Sequence, residues 1–153
     1  AARWHMIGHL QRNKARHAVE MFSLIHSVDN EELAREIGRR AEACGKRMDV
    51  LVEVKISDEP TKFGASADEA MRLVDQISAI SGIRLCGLMG MAPFLSNPED
   101  TRPYFSKLKA LWDRLPKEQR LYLSMGMTQD FEIAIEEGSN MVRIGTAIFG
   151  PRA

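Results

Sequence analysis

A chain of 153 residues is long enough for one domain with a real hydrophobic core. Its 21 Lys and Arg offset 21 Asp and Glu to a formal net charge of zero, which gives no electrostatic footing for nucleic acid or an anionic membrane. No apolar run approaches the roughly 20 residues of a membrane span and no signal peptide is visible, while Cys44 and Cys86 lack metal-ligand spacing and fit a reducing, cytoplasmic setting.

The first predicted strand is Trp4 to Gly8, short and buried, and its loop leads into a helix ending near Met21. Phe22 to Val28 follows as a second strand. Asp29 is placed as the cap of a helix with Glu31 and Glu32 in its first turn, Leu33, Ile37 and Ala41 on one face, and Gly45 as C-cap. Asp49 to Ile56 alternates clearly: Val50, Val52, Val54 and Ile56 form one face, to pack under helices, and Leu51, Glu53 and Lys55 the other. Glu53 and Lys55 are then expected to pair inside the sheet.

Ser66 with Glu69 three residues on forms a capping box, and Ala70, Leu73, Val74, Ile77 and Ile80 form the buried side of that helix. Ile83 to Met89 is the next strand. Pro98 suits a helix start behind Asn97, and the helix after it buries Phe105, Leu108, Leu111, Trp112 and Leu115. Leu121 to Ser124 is a strand, Thr128 caps a helix running through Ile135, and Met141 to Gly145 is the last strand.

This order, strand and helix five times and then a strand, specifies an α/β fold with a parallel sheet, either doubly wound or a barrel. No Gly-x-Gly-x-x-Gly stands near the start. The end of the chain instead carries two small-residue turns after apolar runs, Ser124-Met125-Gly126 and Gly145-Thr146, with Arg143 inside the second apolar run. Two such turns on neighbouring strands make the phosphate site found after the seventh and eighth strands of a βα barrel. Either turn alone is ordinary for an α/β protein; both, with an arginine between, point to a phosphate ligand. The reading is a partial TIM-type (β/α)8 barrel of six parallel strands, one domain over 1–153, N-terminally incomplete and open to self-association along its edges.

The residues also carry a resemblance. Trp4-His5-Met6-Ile7-Gly8-His9-Leu10-Gln11-Arg12-Asn13-Lys14 resembles the signature of the YggS/PROSC proteins, the pyridoxal phosphate homeostasis proteins. Ile25 to Asp29, Val54 to Gly64, Gly87-Leu88-Met89, Ser124 to Met127 and Val142 to Gly150 match it as well, so the resemblance runs the length of the chain. It implies the barrel also seen as the N-terminal domain of alanine racemase. It further implies binding of pyridoxal 5′-phosphate (PLP), in a role in vitamin B6 homeostasis without a known catalytic reaction.

By the same resemblance, Ser124 with the backbone of Met125 and Gly126, and Gly145 with Thr146, hold the phosphate, and Arg143 faces the pyridine nitrogen. A guanidinium only donates, so it keeps that nitrogen unprotonated and weakens the ring as an electron sink. His5 is placed to stack on or hydrogen-bond the cofactor, although a strand histidine is as often a satisfied core residue. The family's Schiff-base lysine lies on the first barrel strand, and this sequence begins by resemblance at the third, so that lysine is absent; Lys62, on a loop leaving the C-terminal end of a strand, is the best-placed substitute, but it reads first as a solvated loop lysine, and at most slow, partial adduct formation is expected there. His9, His17 and His26 form no metal set, and the methionines Met89, Met91, Met125 and Met127 read as packing around the mouth. The alternatives are a racemase-type PLP enzyme, which needs a second domain and a base such as tyrosine, a barrel enzyme for another phosphate ligand, and an inactive fragment.

Overall fold

The computed structural model describes residues 1–59 and 63–151. Six parallel strands, β1 (His5–Met6), β2 (Leu24–Val28), β3 (Met48–Val54), β4 (Ile83–Gly90), β5 (Tyr122–Met127) and β6 (Met141–Arg143), lie side by side in chain order. The helices are α1 (Ala15–Met21), α2 (Glu31–Ala43), α3 (Ala67–Ser78), α4 (Arg102–Trp112), α5 (Phe131–Glu136) and α6 (Thr146–Phe149). Sequential parallel strands joined by helical crossovers are the repeat of a βα barrel. Six strands form an open half-barrel, with β1 and β6 as its edges.

Period-2 alternation on β3 sorts its side chains between two cores. Val50, Val52 and Val54 join Leu33, Ile37 and Ala41 of α2, Leu73, Val74 and Ile77 of α3, and Phe105 and Leu108 of α4 in the large cluster between sheet and helices. Leu51 instead packs with Leu24, Cys86 and Met89, beside Met91, Tyr122 and Met141, on the concave face. That floor is apolar. Above it stands a layer of polar groups, described below.

Helix ends follow local chemistry. Ser66 and Glu69 form the expected capping box on α3. Gly45 adopts φ +65°, letting its own N–H and that of Lys46 reach back to Glu42 O at 2.9 Å and Ala41 O at 3.0 Å. The cap of α2, however, is Asn30 and not Asp29: the residue with extended backbone directly before Glu31 is Asn30, whose Oδ1 accepts from Leu33 N at 2.9 Å. Thr128 likewise does not cap α5. That position belongs to Asp130, whose Oδ1 accepts from Met127 N at 2.7 Å, because β5 runs on to Met127 and delays the helix.

Three further expectations change. The first strand is an exposed edge: Trp4 is 69 % and Ile7 50 % accessible, since only β2 lies beside β1. Pro98 does open a helical turn behind its Asn97 cap, but that turn is a separate 3-10 segment, and α4 begins four residues later with Pro103 in its first turn. Glu53 and Lys55 form no ion pair among the described residues. The charges that act on Glu53 are Asp29 and Arg143, which face the same interior. Lys62 lies outside the described residues.

Candidate functional site

The C-terminal ends of β5 and β6 meet at two turns. Gly145 opens the short helix α6, and the N–H groups of Gly145 and Ala147 both point at Thr128 Oγ1, at 3.3 and 3.4 Å. One hydroxyl oxygen thus stands where two convergent backbone donors aim. An anionic oxygen brought to the turn would meet the same pair. Thr146 is exposed beside them and, with Thr128, Gly145 and Arg143, borders a cleft of about 540 Å³ walled by Met91, Pro93, Phe94 and Met127.

Met125 and Gly126 are buried within β5, short of the turn. Gly126 has φ +95°, and a Cβ there would lie 2.6 Å from Ala134 Cβ, so the glycine lets α5 lie directly against the strand. Ser139 Oγ donates to Met125 O at 2.8 Å, tying β5 to the start of β6.

Ser124 is completely buried on the concave face. Its Oγ accepts from Arg143 Nη1 at 2.6 Å and lies 3.0 Å from His26 Nδ1. Arg143 Nη2 donates to Gly90 O at 3.0 Å. His26 Nε2 lies 3.3 Å from His5 Nδ1, with the two rings tilted at 42°. The polar layer therefore runs from β1 through β2 and β5 to β6. Both open edges, through His5, Ile7, Met141 and Gly145, line one cavity of about 290 Å³.

Burial sets the protonation of this layer. His26 is driven down to about 3 by desolvation, with Arg143 and His5 adding to it. His5 is lowered by burial and by Arg3. Glu53 is pushed up to about 7, first by burial and then by Asp29, with Arg143 opposing. Arg143 is held down to about 10 by desolvation against the pull of Glu53 and Asp130, so it keeps its charge at neutral pH. The interior thus offers a fixed cation, two neutral imidazoles and a carboxyl that titrates near neutrality.

Of the residues singled out in the sequence, the structure brings Ser124, Arg143 and His5 into one network and Gly145 and Thr146 into the neighbouring turn. Two residues of the site carry no such mark in the sequence pattern. Thr128 has the pattern of a helix cap, and its place directly beyond the Gly126 turn is the one usable signal. His26 had no local signal; only folding brings it to Ser124. His9 stacks on Phe63 at 3.8 Å, apart from this network. Among the described residues no three His, Cys, Asp or Glu side chains gather to hold a metal ion.

In sequence and fold the chain has known counterparts. The profile of the alanine racemase N-terminal domain matches residues 1–153. The chain belongs to that family. A pyridoxal phosphate homeostasis protein of Aquifex aeolicus is 45 % identical over 152 residues, covering 97 % of this chain and 67 % of the relative. PipY of Synechococcus elongatus, solved with PLP bound, superposes with a TM-score of 0.86 at 34 % identity, over 97 % of this chain and 70 % of PipY. An alanine racemase of Clostridium difficile gives a TM-score of 0.76 at 18 % identity, over 95 % of this chain and 40 % of the racemase, a likeness of fold alone. The chain spans about two thirds of the length of its homeostasis relatives.

Proposed function

We propose that this chain binds PLP through its phosphate and pyridine groups and serves PLP homeostasis as a carrier, with no reaction of its own assigned. The observation that carries the reading is the pair of N–H groups of Gly145 and Ala147 converging on one oxygen, a short distance along the chain from the donor-only Arg143. Thr128 Oγ1 stands in there for a phosphate oxygen. The residues fit the group: Gly145, Ala147, Thr128 and Thr146 hold the phosphate, Arg143 meets the ring nitrogen, and His5 borders the ring; Ser124, which the resemblance gives to the phosphate, is instead buried and bonded to the Arg143 guanidinium, and Met125 and Gly126 lie buried in β5 short of the turn. PLP supplies a reactive aldehyde and an electron-accepting ring. The protein's part is to bind, orient and shield it, and an arginine at the nitrogen restrains the ring as an electron sink.

The names of the homeostasis relatives and the PLP-bound PipY support the same reading. No helix among the described residues is long and apolar enough to cross a membrane. The test is a titration with PLP and with pyridoxal, followed by absorbance and calorimetry. PLP should bind at least about tenfold tighter than pyridoxal, and Thr146→Val should lose about 0.5–1.5 kcal/mol of that affinity. Equal affinity for the two vitamers would sink the proposal.

A further inference from the structure

One side chain orders a series of three hydrogen bonds across the concave face. A guanidinium only donates, so Ser124 Oγ accepts from Arg143 Nη1. Ser124 is fully buried and its hydroxyl has two partners, Arg143 and His26 Nδ1. If His26 Nδ1 carried a proton, the serine oxygen would accept twice and its own proton would be orphaned in a dry site. The serine proton therefore lies on the 3.0 Å line to His26 Nδ1. His26 keeps its proton on Nε2 and donates to His5 Nδ1 at 3.3 Å. His5 is left with its remaining N–H on Nε2.

The series links β1, β2, β5 and β6 across the inside of the sheet, passing over β3 and β4. At its far end, Gly90 O takes Nη2 of the same guanidinium at 3.0 Å. Two of five N–H groups are thereby committed and the plane is held from two sides, with the others left for a ligand.

We infer that His26 is a positioning residue, which through Ser124 fixes the orientation of the Arg143 guanidinium and with it the donors offered to a ligand's ring nitrogen. This rests on the cofactor reading for its effect on binding, and on the hydrogen bonds alone for its effect on Arg143. The hydrogen bonds of the His26 ring go to Ser124 and His5, so its influence on Arg143 is relayed by one hydroxyl proton. A neutral imidazole is required for that, and its burial beside Arg143 maintains it.

Two substitutions separate this role from packing. His26→Asn places a carbonyl oxygen where Nδ1 stood and still accepts from Ser124; His26→Leu fills the space and accepts nothing. Without ligand, nitrogen NMR of the wild-type chain should show His26 neutral with its proton on Nε2. The Arg143 guanidinium protons should be resolved and slow to exchange in wild type and His26→Asn, and averaged in His26→Leu. With PLP, His26→Leu should bind about three- to tenfold more weakly and shift the absorption of the bound cofactor, while His26→Asn stays within about twofold of wild type. Ser124→Ala breaks the next link and should reproduce the loss, which covers the case of a poorly folded leucine variant. An Nδ1–H or doubly protonated His26 at neutral pH, or a folded His26→Leu with undiminished Arg143 protection, overturns the inference. Absence of PLP binding by the wild-type chain would defeat the cofactor reading instead, and the ligand-free spectra would still decide this one.

Discussion

Acid should act on this fold through two buried groups pulling in opposite directions. His26 falls from its ordinary 6.5 to about 3 on folding, so it binds its proton more weakly in the native state. Its contribution is complete above about pH 6.5 and is lost as the pH falls toward 3. Glu53 rises from 4.5 to about 7, so its contribution is complete below about pH 4.5 and is lost as the pH rises through 7. Between pH 6.5 and 4.5 the His26 penalty grows on the order of 2–3 kcal/mol, at about 1.4 kcal/mol per unit, and Glu53 regains a similar amount. The wild-type chain should therefore be nearly level in stability over this window, while the single variants expose each slope. Urea midpoints measured at half-unit steps would show this. The deficit of His26→Asn against wild type should shrink by about 2–3 kcal/mol as the pH falls from 6.5 to 4.5, since asparagine does not titrate. Glu53→Gln should lose the compensating gain and fall behind wild type over the same range. A His26→Asn deficit that stays constant with pH would show that the imidazole is not buried neutral, and the reasoning would fail.

Gly126→Ala should cost about 2–4 kcal/mol in chemical denaturation, because φ is +95° and the new methyl would sit 2.6 Å from Ala134 Cβ; a cost below about 0.5 kcal/mol would contradict the close approach of α5. Asn30→Ala should lose about 1 kcal/mol of stability as the α2 cap goes, and Asp29→Ala less, since Asn30 Oδ1 is the one that accepts from Leu33 N. The reverse order would restore Asp29 as the cap. The short edges β1 and β6, with Trp4 exposed beside one of them, should give concentration-dependent association in sedimentation velocity; a single monomeric species at every concentration would exclude it.

What could be read from the sequence was local. The valine alternation of β3, the Ser66–Glu69 box and the apolar faces of α2 and α3 depend on residues one to four positions apart, and each stands where its spacing placed it, while the C-cap of α2 falls at Cys44, one residue before the predicted Gly45. Repetition of these units was enough to specify six parallel strands, and the two small-residue turns at the end of the chain, not the repetition, favoured a barrel over a doubly wound sheet. Helix caps already strained this reading, because Asp29 and Asn30 are chemically alike and the backbone dihedrals chose between them. The interior lay beyond it. Ser124 and His26 are 98 residues apart and Arg143 and Gly90 are 53 apart, so no periodicity or motif encodes their contacts. The same holds for Glu53, which sequence alone paired with Lys55, two residues on, where folding set it among Asp29 and Arg143. That position 143 carries a side chain able only to donate is written in the chain. What it donates to, and hence which nitrogen of each histidine keeps its proton, exists only once five strands have brought these groups to one interior.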